Sequence, residues 1–181
     1  MEHPVSKEDA VAATRGWLER DVIGLNLCPF AAAVHEAGQI RYVVSDAQTP
    51  VALRDHLIEE LLFLNAADPR EVDTTLLIHP RVLSDFLEFN DFLDIAEDTV
   101  RQLGLNGEIQ VASFHPQYQF SETSPDDVTN RTNRSPYPTL HLLREASVDR
   151  AVADHPDISE ISRRNIETMR RLGHPEPPTA G

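Results

Sequence analysis

Residues 117–139 read QYQFSETSPDDVTNRTNRSPYPT and carry neither helical nor strand periodicity. They separate two short apolar runs that each hold a histidine, VASFHP at 111–116 and TLHLLRE at 139–145. Upstream of this point predicted strands alternate with helices, which favours parallel neighbours joined by right-handed crossovers. A connection of 23 residues with no helix in it releases the last strand from that rule, so it can run either way. The reading is therefore α/β, with α+β as the alternative: a single mixed four-stranded sheet packed by about five helices.

The elements before and after the loop follow from spacing and punctuation. Ser6 with Asp9 resembles a capping box, and Val11, Thr14, Trp17, Leu18 and Val22 recur at helical spacing. GLNLCPFAAAVHEAG opens on a turn at Gly24, and Pro29 suits the first turn of a second helix that ends near Gly38. IRYVVSD is the first strand. Thr49-Pro50 starts a helix striped with Leu53, Leu57, Leu61 and Leu64, and TTLLIHP is the second strand. Ser84 is expected to cap the next helix, with Gly104 as its left-handed end. A third strand covers Ile109 to His115, a fourth Leu140 to Glu145, and a last helix spans Ile158 to Leu172. Residues 1–173 read as one domain and 174–181 as a flexible tail.

Composition narrows the partners. A net charge of -14 opposes a phosphate backbone, so nucleic acid is not expected. No apolar run reaches the ~18 residues of a membrane span, and MEHPVSKEDA lacks the regions of a signal peptide. The lone cysteine, Cys28, rules out an internal disulfide and a multi-cysteine metal cage. These features together point to the cytoplasm, with the oligomeric state open.

Loops this long inside compact domains are usually functional, since typical connections are about 4 to 6 residues. This one mixes Tyr118, Phe120 and Tyr137 with Asp126, Asp127, Asn130, Arg131, Asn133 and Arg134, and it reads as the wall or lid of a site. His79 and His115 each precede a proline at the C-terminal end of an apolar strand, where open parallel sheets bind ligands. His141 lies within the fourth strand. His115 and His141 are the candidate acid-base pair, with Asp127 or Asp126 to orient an imidazole; the alternative is that the Asp pair caps a turn. His79, His115 and His141 are the candidate iron or zinc ligands, although their spacing matches no compact motif. Arg131, Asn133, Arg134, Tyr137 and Arg144 are the candidate substrate-binding residues, because guanidinium forks match carboxylate or phosphate oxygens; alternatively these arginines pair with nearby acids. Cys28 is read as a core residue, a nucleophile or a haem thiolate.

GLNLCPFA at 24–31, SFHPQYQF at 113–120 and above all TNRSPYPTLHLLREASVDRAV at 132–152 resemble the bacterial family catalogued as domain of unknown function 1415. The resemblance runs from about Ala10 to Gly173 and implies no catalytic roles. The function expected is that of a small enzyme acting on an anionic small molecule in a His-lined pocket under the 117–139 loop, with or without a metal. A non-catalytic module docking a protein through that loop is the second reading, and a haem protein the third.

Overall fold

A computed structural model describes residues 4–154 and 158–173. The helices are α1 (Lys7–Trp17), α2 (Pro29–Glu36), α3 (Pro50–Ala66), α4 (Phe86–Gln102), α5 (Glu145–Asp154) and α6 (Ile158–Leu172). The strands are β1 (Ile40–Val44), β2 (Thr74–Ile78), β3 (Ile109–Phe114) and β4 (Thr139–Arg144). A π-helical segment, Leu18–Ile23, prolongs α1, and a short 3-10 helix, Val128–Asn133, sits inside the long loop. The predicted 174–181 tail lies outside the described residues.

The sheet order is β1-β2-β4-β3, with β1 parallel to β2 and β4 antiparallel to both its neighbours. The expected mixed four-stranded α/β sheet is therefore present. The long loop does what its length permits: it returns the chain so that β4 runs against the others and fills the gap between β2 and β3.

Local chemistry sets the helix ends. Ser6 Oγ accepts from the Asp9 amide at 3.0 Å and Thr49 Oγ1 from the Ala52 amide at 3.2 Å. At α4 the cap is Asp85 rather than the expected Ser84: its carboxylate takes the amides of Leu87 and Glu88 at 2.9 and 3.1 Å. A carboxylate at a helix start also meets the positive end of the helix dipole, which a hydroxyl does not exploit as well. Gly24 is where the π-helical segment turns, and a Cβ there would lie 2.3 Å from the Arg20 carbonyl oxygen. The helix α5 has no counterpart in the sequence reading. It follows β4 directly, without the capping or turn residues that mark a helix start.

Alternation along β4 divides the sheet's two faces. Leu140 and Leu142 point to one side with Leu77 and Ile109, against Leu53, Leu57, Leu61 and Leu64 of α3 and Phe89, Phe92, Ala96 and Val100 of α4. This is the main core. On the other face Trp17, Leu18, Val22 and Ala31 form a smaller cluster with Ile40, Tyr42 and Phe114. His141 and Leu143 take that second side.

Candidate functional site

His79 and His115 stand at the C-terminal ends of β2 and β3, as their sequence positions suggest, but both turn toward the loop that leads into α4. His79 Nδ1 is 3.0 Å from the Val82 carbonyl oxygen, and His115 Nε2 is 3.0 Å from that of Leu83. A carbonyl only accepts, so each of these nitrogens carries the proton. The other nitrogen of His115 accepts the Gln117 amide at 3.0 Å. His115 is thus fixed as the Nε2–H tautomer with both nitrogens engaged. Both rings are fully buried and pack on Phe89, with centroids 5.6 and 5.0 Å away. Burial lowers the pKa of each, for His79 to about 4.

The held loop is strained at Leu83, whose φ is +59°, a region that costs of order 1–3 kcal/mol for a bulky residue. Two imidazoles fastened to successive carbonyls keep it there. His79 and His115 therefore work as braces of this turn, and their backbone amides also fix the long loop by donating to Pro138 and Asn133.

His141 is elsewhere. It lies on the opposite face of the sheet, its ring 5.8 Å from that of Phe114. The expected convergence of His115 and His141 on one pocket does not occur, because odd and even positions of β4 face opposite layers and His141 alternates with the core residues Leu140 and Leu142. For the same reason the three-histidine metal set is not assembled. Among the described residues no group of three or more His, Cys, Asp or Glu is placed to hold a metal ion.

The remaining candidates hold the loop together. Arg134 donates to the carbonyls of Tyr118 and Pro125, at 3.0 and 2.7 Å. Arg131 faces Asp21 at 3.4 Å, and Asn133 donates to the Ser113 carbonyl while accepting from Thr132. Asp127 caps the 3-10 helix, accepting from the amide and hydroxyl of Thr129. Tyr137 is half-buried, and its carbonyl accepts from Ser135 and Thr139. Arg144 donates to three carbonyls, those of Leu64, Ala67 and Val72, at 2.7 to 3.0 Å, so its fork ties β4 to the end of α3 instead of facing a substrate. Tyr118 packs between Phe86, in a tilted arrangement at 5.2 Å, and Phe120, edge to face at 5.0 Å. Asn130, one of the polar loop residues whose sequence reading left ligand binding and backbone binding open, is fully buried and organises the loop: its Oδ1 accepts from the Phe120 amide and the Thr123 hydroxyl, and its Nδ2 donates to the Ser124 carbonyl.

What surrounds His141 is a cavity of about 310 Å3 between the sheet and the helices of the second face. Trp17, Val22, Cys28, Ala112, Phe114 and Val152 are among its walls, and no charged residue lines it. Here the direction of one hydrogen bond matters. Thr74 Oγ1 is 2.6 Å from the Leu142 carbonyl oxygen and 2.7 Å from His141 Nε2. The hydroxyl has a single hydrogen and the carbonyl must receive it, so His141 donates from Nε2 and keeps a bare lone pair on Nδ1. That lone pair has no partner among the described residues. The ring retains some exposed surface because it faces the cavity, but protein encloses it, and this desolvation lowers its pKa to about 4. It is neutral at pH 7.

Cys28 lies on the same wall. Burial pushes its thiol pKa up, against two backbone amides that pull it down, which is the opposite of what a ready nucleophile or haem thiolate requires.

A second cavity of about 540 Å3 adjoins the first, sharing Val22, Leu27, Cys28 and Phe114 with it. Its other walls are the long loop and α6, through Phe120, Thr129, Asn133, Ser162 and Asn165. The loop thus forms one wall of the compartment beside the one that holds His141. Residues 9–177 match the model of the family described as "Protein of unknown function (DUF1415)". The chain belongs to that family. DUF1415 carries no assigned chemistry, and no curated protein and no solved structure matches the chain. No described helix of this DUF1415 protein is long and apolar enough to cross a membrane.

Proposed function

We propose that this protein binds a small, mostly apolar molecule in the cavity against His141, with an N–H or O–H of that molecule donated to Nδ1. The support is the tautomer imposed by Thr74, which presents a lone acceptor to an otherwise uncharged, apolar enclosure. A ligand that supplies a donor gives this nitrogen a partner within apolar surroundings, where one hydrogen bond contributes ~0.5–1.5 kcal/mol. At about 310 Å3 the cavity is at the lower end of the range for small-molecule pockets, roughly 300–1,000 Å3. It accommodates about ten water-sized groups at ~30 Å3 each.

Binding, rather than proton transfer, is the activity best supported. An imidazole whose pKa is lowered to about 4 is a weak base, so His141 orients a donor more readily than it removes a proton. The arginines that suggested an anionic ligand are engaged with Asp21 and with backbone carbonyls. The single half-buried cysteine and the acidic charge suit a reducing cytoplasm.

Titration with 1-naphthylamine and with naphthalene tests this reading. The amine is expected to bind about 5-fold or more tightly than the hydrocarbon, corresponding to ~1 kcal/mol for one hydrogen bond. In His141→Phe the two should bind alike. Failure of both probes to bind at millimolar concentration, or an undiminished preference for the amine in His141→Phe, refutes the proposal.

A further inference from the structure

The hydrogen-bonding state of the second cavity specifies what the rest of the ligand must be, given the reading of the first. Each threonine hydroxyl on its wall has one hydrogen, and each is already committed within the protein. Thr123 Oγ1 donates toward the Phe120 carbonyl and Asn130 Oδ1, Thr129 Oγ1 toward Asp127, and Thr132 Oγ1 toward the Thr129 carbonyl and Asn133 Oδ1. Asn165 spends an Nδ2 hydrogen on the Leu27 carbonyl at 2.8 Å, and its Oδ1 has no partner among the described residues. The wall therefore offers a guest both kinds of partner: oxygen lone pairs on the threonines and on Asn165 Oδ1, and uncommitted hydrogens on Ser162 Oγ and on the amides of Asn133 and Asn165. No Lys, Arg, Asp or Glu lines either cavity, and the chain as a whole carries -14. Such a compartment suits an uncharged polar head and disfavours carboxylate or phosphate.

We infer that the ligand is an uncharged amphiphile, its apolar body beside His141 and its hydroxyl-bearing or amide-bearing head in the second cavity, the two joined past the shared wall of Val22, Leu27, Cys28 and Phe114. This rests on the proposal that the first cavity binds small molecules. It adds that one ligand occupies both compartments, and that its polar end is an uncharged hydrogen-bonding group meeting an uncharged polar wall.

The probes are the α,ω-alkanediols from hexane-1,6-diol to dodecane-1,12-diol, the matching 1-alkanols and decanedioate, each titrated by calorimetry against the full chain. One of the diols is expected to bind at least 10-fold more tightly than the 1-alkanol of the same length, and decanedioate at least 10-fold more weakly than decane-1,10-diol. Ser162 is exposed on α6 and makes no side-chain hydrogen bond among the described residues, so Ser162→Trp should fill the second cavity without disturbing the core. In that variant the diol's advantage is lost, while the affinity for 1-naphthylamine, confined to the first cavity, stays within 2-fold. Ile166→Trp, a second exposed position on the same wall, should reproduce the loss if Ser162→Trp unfolds the chain. If 1-naphthylamine binds but diols and alkanols of equal length bind alike, or if decanedioate binds as well as the diol, this inference is wrong and the simpler one-cavity reading stands. If 1-naphthylamine does not bind at all, both are wrong.

Discussion

Thr74 fixes the protonation pattern of His141: across 2.7 Å the threonine oxygen can only accept, because its hydrogen lies toward the Leu142 carbonyl. Nitrogen-15 spectra at pH 7 should show His141 neutral and protonated at Nε2. Thr74→Val removes the acceptor and leaves that N–H unpaired. The expected result is a redistribution of the His141 tautomers, a stability loss of ~1–3 kcal/mol and a reduced preference for 1-naphthylamine over naphthalene. An unchanged nitrogen spectrum would contradict the assignment.

Mutation of His115 should separate stability from binding. His115→Ala empties a fully buried site against Phe89 and frees the strained turn at Leu83, so a loss of ~2–4 kcal/mol in urea denaturation is expected. The first cavity is on the far side of the sheet, and the affinity of the folded variant for 1-naphthylamine should stay within about 2-fold of wild type. A large loss of affinity at constant stability would restore His115 to the binding site.

Acid should weaken the fold before the carboxylates titrate. His79 and His141 have folded pKa values of about 4 against 6.5 for the free side chain, so between those limits the unfolded chain binds more protons. Stability is fully present above pH 6.5, declines as pH falls toward 4, and these two groups contribute no further slope below that. For the fully buried His79 the ceiling is on the order of 3 kcal/mol. In His79→Asn, which keeps a donor for the Val82 carbonyl, the fall between pH 6.5 and 5 should be visibly shallower. An equal slope in both proteins would show that His79 does not titrate in this window.

Loop order should depend on Asn130. Its carboxamide satisfies Phe120, Thr123 and Ser124 with no exposed surface, so Asn130→Ala strands buried backbone groups at a cost of ~2–4 kcal/mol. Hydrogen exchange of residues 118–130 should rise at least 10-fold more than that of β4. Uniform acceleration through the sheet would instead mark a global effect.

The fold was legible where the chain repeats a pattern. Leucines four apart announced α3, the Thr49 and Ser6 hydroxyls announced helix starts, and a long aperiodic segment announced a sheet freed from parallel order. Helix α5 was not legible, since its sequence EASVDRAVAD continues from a strand without a break. In the site, alternation along TLHLLR already contained the answer that His141 faces away from Leu140 and Leu142; what it could not supply was the side chosen by the histidines at the ends of β2 and β3. Those turned on the carbonyls of Val82 and Leu83, and no periodicity encodes a bond between a strand end and a loop. The tautomer of His141 depends likewise on Thr74, which is distant in sequence, and on a carbonyl one residue along from the imidazole.

The position of β4 has a bearing on how the chain is made. During synthesis β1 can join β2 as soon as both have left the ribosome, but β3 has no neighbour until residues 139–144 appear, because β4 is the strand between them. A nascent protein halted just before Thr139 would carry an unpaired apolar β3 and a half-covered β2, surfaces that chaperones recognise and that other chains can adhere to. Completion of the sheet therefore waits for residues 139–144 to emerge, and the segment that seals it is the same one that bears His141.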